Sequence, residues 1–210
     1  MKNYLLVLVI LLLLILPFGC GQPAEPELPT DENSVEDDPG ISGPVMGMTD
    51  EPILVDGLAD GYPAEAVEAM GGLIHLAHDG ENLYLHFALD TAGWISVGFN
   101  SAGGGMDGAN MIIAYLEGDN PAYREDLGRG RSHAAVSATA VNEFYLAYDE
   151  DGLAVLELKY PLAFPTDQGF NLEGLVPGQE YTLIFASHNS SHDIDSTHSN
   201  RGSFNFTVEP

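Results

Sequence analysis

Basic residues and cysteine are both scarce in this chain of 210 residues. Six Lys and Arg side chains stand against 32 Asp and Glu, which gives a formal net charge of -26 at pH 7. So acidic a protein has little means of displacing counterions from phosphates, and the composition argues against binding to nucleic acid. The single Cys excludes an internal disulfide framework, a multi-Cys zinc or iron–sulfur site, and haem attachment through two thioethers.

Familiar catalytic signatures are missing too. The sequence contains no P-loop, dinucleotide-binding fingerprint, nucleophile elbow or H-E-x-x-H zinc motif. We therefore expect no enzymatic activity from the chain by itself. A hydrophobic content of 45% is nevertheless too high for a wholly disordered protein, and the length suits one domain with attachments.

The N-terminus has the features of a targeting signal. Lys2 precedes an uninterrupted apolar run of 15 residues, Tyr4 to Phe18, which is shorter than the roughly 20 residues that span a bilayer. The run ends at Gly19 and Cys20 and resembles a bacterial lipoprotein signal, although the two residues before Gly19 depart from the usual pattern. We predict a signal peptide over 1–19, lipidation of Cys20, and an extracytoplasmic, membrane-anchored protein. The alternative is an ordinary secreted protein with an unmodified Cys.

The next segment is acidic and rich in proline. Residues 21–51 contain nine acidic side chains, no basic one and five Pro. Such a composition repels itself and extends. We predict a flexible tether over 20–48 and one folded domain over 49–210. An anionic lipid surface would repel this acidic domain, so the lipid anchor would have to hold it there.

The rest of the sequence alternates with a period of two. Short alternating runs, separated by turns such as Asp79-Gly80, occur at 73–78, 83–89, 94–99, 111–117, 134–141, 143–149, 153–159, 181–187 and 202–208. Only the segment 63–70 has a helical composition. The pattern predicts an all-β, antiparallel sandwich with a short helical segment near its start.

Two loops contain residues with ligand chemistry. In one, a Met follows three consecutive Gly, and its thioether is a soft ligand suited to iron or copper(I). In the other, 187–199, three His stand among Ser and Asp, and imidazoles bind metals. On these residues alone, a Met that plugs the end of the sandwich and a solvated loop are the simpler interpretations. The residues concerned are Gly103, Gly104, Gly105 and Met106, and then His188, His192 and His198.

Together the two loops resemble the DOMON domain. Its central motif is matched by Gly93 to Asn100, by the Gly-rich turn with Met106, and by Asn110 to Tyr115. Its closing H-x-x-R-G element is matched by His198 to Gly202. Leu54 to Gly57 resembles the opening of DOMON-like domains and of family-9 carbohydrate-binding modules. The resemblance extends over nearly the whole predicted domain.

This resemblance implies a fold and a cofactor. Members of the family are immunoglobulin-like sandwiches, and some bind haem b between axial Met and His ligands while others bind sugars. It implies Met106 and His198 as axial ligands of a non-covalent haem b, with His188 and His192 as alternative histidines. Met/His ligation fills both axial positions and so suits single-electron transfer, with a redox partner protein. The alternative is a module of the same fold that binds a carbohydrate or another small ligand without haem.

Four further residues are candidates for a haem pocket. Gly104 and Gly105 would let a porphyrin edge lie against backbone. Arg201 belongs to the closing element and Arg124 to a local basic cluster, and either guanidinium could neutralise a propionate. Arg124 could instead pair with the acids that follow it. For all these residues to form one site, the two loops must lie at the same end of the sandwich.

The remaining histidines are interpreted as structural. His75 and His78 lie three residues apart on a predicted strand, so they face opposite sides and cannot form a ligand pair. His86 lies on the polar face of its strand, and His133 follows two Arg as a surface residue.

Overall fold

The computed structural model describes residues 43–150 and 152–210. This part of the chain contains strands and no helix, so the predicted all-β class is confirmed. It accordingly contains no helix long and apolar enough to cross a membrane. The predicted signal peptide, Cys20 and most of the predicted tether lie outside the described residues.

Twelve strands make up two hydrogen-bonded layers. Sheet A has the order β8-β7-β6-β5-β11-β12-β1, and sheet B has the order β1-β3-β4-β10-β9, with β2 paired to β3. Apart from the contacts of β1, all pairs of strands are antiparallel. The strands are β1 Val45–Met48, β2 Val67–Ala69, β3 Gly72–His78, β4 Asn82–Asp90, β5 Ile95–Ser101, β6 Asn110–Glu117, β7 Asn120–Arg129, β8 Ser132–Ala135, β9 Glu143–Tyr148, β10 Leu153–Pro161, β11 Glu180–Ser187 and β12 Asn200–Val208.

The core lies between the two sheets and is mostly apolar, with the buried side chains of Glu125 and Asn110 as polar exceptions. Alternate residues of the strands point inward from both layers, as the period-two pattern predicts. Phe87 of sheet B and Phe185 of sheet A meet there edge to face, with ring centroids 6.1 Å apart. Fully buried members come from both sheets, among them Ile74, Leu85, Leu156, Ile95, Val97, Phe99, Leu183 and Phe206.

Strand β1 joins the two sheets, and it corrects the predicted domain boundary. Its first half, Val45–Met46, pairs in parallel with β12, and its second half, Gly47–Met48, pairs in parallel with β3. Met46 is completely buried in the core. A boundary at 49 is therefore four residues too late. The acidic, proline-rich surroundings hid a short apolar strand.

Strand β7 was missed because both of its central acids are buried. Glu125 points inward, and its carboxylate accepts hydrogen bonds from the backbone N–H groups of residues 140 and 141 and from the Tyr160 hydroxyl. Asp126 points outward and binds Arg124 and His133. Two consecutive buried acids obscure an alternating pattern. Of the strand predicted over 134–141, only the first two residues belong to a strand, because β8 ends at Ala135.

The predicted helical segment over 63–70 is wrong. Residues 67–69 form β2, which turns directly into β3. Met70 and Gly71 both have positive φ, 52° and 80°, as a two-residue type I′ hairpin requires. A hairpin that continues the edge of sheet B thus prevails over the helix propensity of an Ala- and Glu-rich segment.

Candidate ligand-binding face

The outer face of sheet A has an apolar centre with charged edges. Two adjacent rows of outward-pointing residues run across β7, β6, β5, β11 and β12, in that order. The first row is Arg124, Ile113, Ser96, Ala186 and Arg201, and the second is Asp126, Met111, Gly98, Ile184 and Ser203. Ile113 and Met111 are only 2% and 7% exposed although they point away from the core. Other parts of the chain must therefore cover this face.

The Gly-rich loop, residues 102–109, covers one end of the face. The side-chain amide of Asn100 donates to the carbonyls of Gly105 and Asp107 at 2.7 and 2.9 Å, which fixes the course of the loop. Met106 is half-buried and lies over Gly128 of β7, where an added Cβ would come within 3.1 Å of the Met106 Cγ. The backbone and the Cγ of Met106 thus rest on the outer face, against β7.

The His-rich loop, residues 188–199, covers the other end. The indole Nε1 of Trp94 donates to the hydroxyl of Ser196 at 3.2 Å. The Asp195 carboxylate approaches the Arg124 guanidinium at 3.9 Å. Trp94 itself is 6% exposed beneath this loop, with its ring against His188.

The expectation that the two loops share one end of the sandwich is wrong. The Gly-rich loop leaves β5 after Ser101, which is opposite Tyr181, whereas the His-rich loop leaves β11 after Ser187, which is opposite Ile95. Six residues of extended strand, about 20 Å, separate the two departure points. Each loop follows one member of an antiparallel pair, so they leave at opposite ends. Both nevertheless bend onto the same outer face.

Hydrogen bonds distinguish the three histidines of the second loop. The Nδ1 of His188 accepts the backbone N–H groups of residues 190 and 191, and the Nδ1 of His192 accepts that of Leu116. The neutral imidazole of His188 and that of His192 must then each carry the proton on Nε2. A protonated Nε2 has no free lone pair and cannot bind a metal ion. Burial also lowers the pKa of His192 and favours its neutral form. The half-buried His198 has no hydrogen-bond partner among the described residues, so its imidazole is uncommitted.

The two candidate arginines also differ in whether their side chains already have a partner. Arg124 makes a bidentate ion pair with the buried Asp126, with both distances 2.7 Å, and these bonds raise its pKa above the ordinary value. The same carboxylate accepts a hydrogen bond from the Nδ1 of His133, so His133 is part of this cluster as well. Arg201 is exposed and has no acidic partner among the described residues. Only Arg201 therefore presents a free guanidinium on this face.

The candidate glycines have different surroundings. The N–H of Gly104 donates to the Ser101 carbonyl at 2.7 Å, and an added Cβ would lie at that same distance from the oxygen. A Cβ on Gly105 would have no neighbour within 4 Å. Close packing thus accounts for Gly104, and open space beside Gly105 leaves room for a ligand.

Within the described residues, no three His, Cys, Asp or Glu side chains converge on a metal-sized point. Two surface concavities of about 400 and 520 Å³ are lined by residues 68–73 and by residues 43–45 with 64–68. Neither borders Met106 or His198. A large ligand on the outer face of sheet A would have to displace the covering loops.

The outer face of sheet B holds a polar cluster that the sequence did not reveal. His75, His86 and Glu157 stand directly opposite one another on β3, β4 and β10. Glu157 is fully buried and accepts hydrogen bonds from the N–H groups of Asp56 and Gly57 and from the Tyr62 hydroxyl, at 2.9, 2.7 and 3.0 Å. Desolvation raises its pKa. No sequence signal identified this pair, because a two-residue turn at Asp79-Gly80 would place His75 opposite Tyr84, and the longer connection over 79–82 places it opposite His86 instead.

Comparisons with known proteins identify the fold. The sequence matches no protein-family model and no curated protein. The structure is similar to the cytochrome b domain of pyranose dehydrogenase from Coprinopsis cinerea, with a TM-score of 0.51 and 12% identity over 67% of this chain and 80% of that one. It is also similar to the cytochrome domain of Myriococcum thermophilum cellobiose dehydrogenase, with a TM-score of 0.53 and 13% identity over 69% and 81%.

A weaker likeness points to a second group. A family-9 carbohydrate-binding module from Caldicellulosiruptor kristjanssonii, solved with glucose, gives a TM-score of 0.41 and 8% identity over 79% of this chain and 95% of that one. That score is too low to carry an argument. The first two likenesses agree with the sandwich that the DOMON resemblance implies, and this chain has the fold of cytochrome b domains.

Proposed function

We propose that this protein binds haem b on the outer face of sheet A and transfers single electrons to a partner protein. The observation that carries the proposal is that the loop with the thioether and the loop with the imidazoles both lie on the outer face of sheet A. Met106 approaches from one end of the strands and the His-rich loop from the other. Because the loops leave the sheet about 20 Å apart, both would have to move across the face for Met106 and His198 to reach one iron.

The imidazole we propose is His198. Of the three histidines in its loop, it alone has no hydrogen bond that fixes the proton on the wrong nitrogen. Using His188 or His192 would break backbone hydrogen bonds that hold the loop. The donor chemistry also fits, because a thioether and an imidazole are both ligands of haem iron.

The face between the loops suits a flat apolar group. Gly98 lies at its middle, between Met111 on β6 and Ile184 on β11. A Cβ there would come within 3.0 Å of both of these side chains, so they close over the glycine. Moving the two flexible side chains apart would expose backbone at Gly98. Arg201, free at the edge, would meet a propionate, whereas Arg124 is already paired.

A bound haem would supply reversible one-electron chemistry. Met106 and His198 would hold its iron through a thioether and an imidazole, and this pair of ligands would favour the reduced state. Ile113, Met111 and the covering loops would exclude water.

We further propose that a lipid on Cys20 holds the domain on the extracytoplasmic side of a membrane, where the acidic tether separates it from the lipid surface. Mass spectrometry of the membrane-extracted protein tests the lipid directly.

Absorbance spectroscopy tests the function. Full-length protein expressed with sufficient haem should show a sharp Soret band and resolved α and β bands when reduced. His198→Ala should abolish them, and Met106→Leu should remove the low-spin Met/His spectrum and lower the reduction potential. His188→Asn, which keeps a side-chain acceptor for the N–H groups of residues 190 and 191, and Met48→Leu on β1 are the matched controls and should change neither. Wild-type protein that stays colourless with excess hemin would overturn the proposal, and its retention on a polysaccharide column would favour the carbohydrate-binding alternative.

A further inference from the structure

The outer face of sheet B carries two imidazoles that the proposed haem function does not use. His75 and His86 are directly opposed on β3 and β4, with ring centroids 5.7 Å apart. His86 is 5% exposed and His75 is half-buried. Tyr62 belongs to the loop between β1 and β2, which covers this face. Its ring lies over both imidazoles, at centroid distances of 5.4 Å from His75 and 6.2 Å from His86.

The proton of His86 can be located from its neighbours. Its Nε2 lies 3.3 Å from the Gly57 carbonyl oxygen, which can only accept, so Nε2 carries the hydrogen. The Nδ1 of the neutral ring is then a lone pair, and it is buried without a partner. The Nδ1 of His75 is also buried without a partner. Two unsatisfied buried nitrogens on adjacent rings are unusual in a folded protein.

We propose that His75 and His86 together bind a divalent transition metal ion through their Nδ1 atoms. Zn²⁺ and Cu²⁺ are the ions that suit two imidazole ligands. A zinc–nitrogen bond of about 2.0–2.1 Å puts each ring centroid about 3.2 Å from the ion. A centroid separation of 5.7 Å then corresponds to an angle of roughly 125° at the metal, which two ligands of one ion can adopt. The backbone carbonyl on the far nitrogen of His86 is the usual outer partner of a ligating histidine.

The surroundings favour a cation at this point. Glu157, beside His86 on β10, has a carboxylate oxygen that accepts only the Tyr62 hydroxyl and so retains a free lone pair. Because no third His, Cys, Asp or Glu converges with the pair in the described residues, water would fill the remaining positions, and the Tyr62 ring that lies over both imidazoles would have to turn aside to admit it. Desolvation lowers the pKa of both imidazoles, which keeps them neutral and able to ligate near pH 7.

Metal titration tests this site separately from the haem site. Full-length protein with a tag that contains no histidine is stripped with chelator and titrated with Zn²⁺ and with Cu²⁺ by calorimetry at pH 7.5. We expect one ion per chain. His75→Gln and His86→Gln should each weaken binding at least about tenfold, since even an outer partner of a ligand typically contributes 10–100-fold. Gln at 86 can still donate to the Gly57 carbonyl, which preserves the fold.

A matched control and a spectroscopic measurement make the test decisive. His188→Gln, on the other sheet, should leave the affinity unchanged. The electron paramagnetic resonance of Cu²⁺ bound to the unmodified protein should show coupling to two imidazole nitrogens, without recourse to any variant. Binding of neither ion, or binding that survives the His75→Gln/His86→Gln double substitution, overturns the proposal. The Soret band measured in the same samples reports the haem proposal independently.

Discussion

The two outer faces of this sandwich are organised in opposite ways. On sheet A the centre is apolar or small, the charges stand at the edges, and two loops cover it from opposite ends. On sheet B a buried carboxylate stands in the centre, and the covering loop is bound to it by three hydrogen bonds. A covering of the first kind can open for a large ligand. A covering of the second kind is fixed, because opening it would strand a buried charge.

This difference indicates which face can hold which ligand. A porphyrin requires room that the loops on sheet A must yield. Their hydrogen bonds to the rest of the chain are made by neutral groups and by exposed carboxylates, so opening these loops would strand no buried charge. The metal ion that we propose on sheet B would need a smaller movement, because its two imidazoles already lie side by side and the Tyr62 side chain lies over both. Four predictions test the distinction, beginning with the strand that joins the two sheets.

Removing β1 should have the largest effect on stability. Deleting residues 21–48 removes the fully buried Met46 and the pairing with both sheets, so we expect a loss of about 4 kcal/mol or more in the free energy of unfolding. Deleting only 21–42 should leave it nearly unchanged, since that segment is acidic and rich in proline. Denaturant titration of the two truncations measures the difference. Equal stability of both would mean that β1 does not couple the sheets.

Removing the central carboxylate should release the covering of sheet B. Glu157→Ala leaves two backbone N–H groups and the Tyr62 hydroxyl without their acceptor, at a cost of roughly 3 kcal/mol in the free energy of unfolding. Glu143→Ala is the matched control, because its exposed ion pair with Lys159 contributes about 0.2–1 kcal/mol. Chemical denaturation measures both. A loss below that of the control would show that the loop is not held by this carboxylate.

Filling the middle of sheet A should have a moderate effect on stability and a larger one on haem. The new Cβ in Gly98→Ala would press on Met111 and Ile184, whose side chains can shift, so we expect a loss of about 1 kcal/mol. Haem uptake should fall as well. Gly105→Ala meets no neighbour within 4 Å and is the control for the stability measurement. Unchanged haem uptake in Gly98→Ala would remove Gly98 from the proposed site.

The smallest effect should be a dependence on pH that belongs to sheet B. Burial lowers the pKa of His75 and His86 below the value in the unfolded chain, so the unfolded state binds more protons as the pH falls below about 6.5. Their contribution to stability is therefore present above that pH and lost below it. Glu157, with its raised pKa, acts in the opposite direction. The metal-free His75→Gln/His86→Gln variant should lose less stability than wild type between pH 7.5 and 5.5, and an equal loss would contradict these shifts.

Local patterns identified most of the strands. Alternation over 83–89 and 153–159 identified β4 and β10, because one face of each strand packs in the core while turn residues mark its ends. The pattern failed where polar groups are buried, as at Glu125 and Asp126 in β7, and where a strand is short, as in β1 and β2. In these strands, pairing with distant parts of the chain outweighs local composition.

The sequence by itself determined the all-β class and the two loops with thioether and imidazole groups, since both depend only on residue type and spacing. Only the tertiary structure decided that these loops leave opposite ends of sheet A and lie on one outer face, because strand order and register bring together residues far apart in the chain. It also decided which nitrogens are free. The Arg-Gly that follows His198 favoured it over His188 in the sequence, but the backbone N–H groups that occupy the Nδ1 of His188 are brought there by the folded loop.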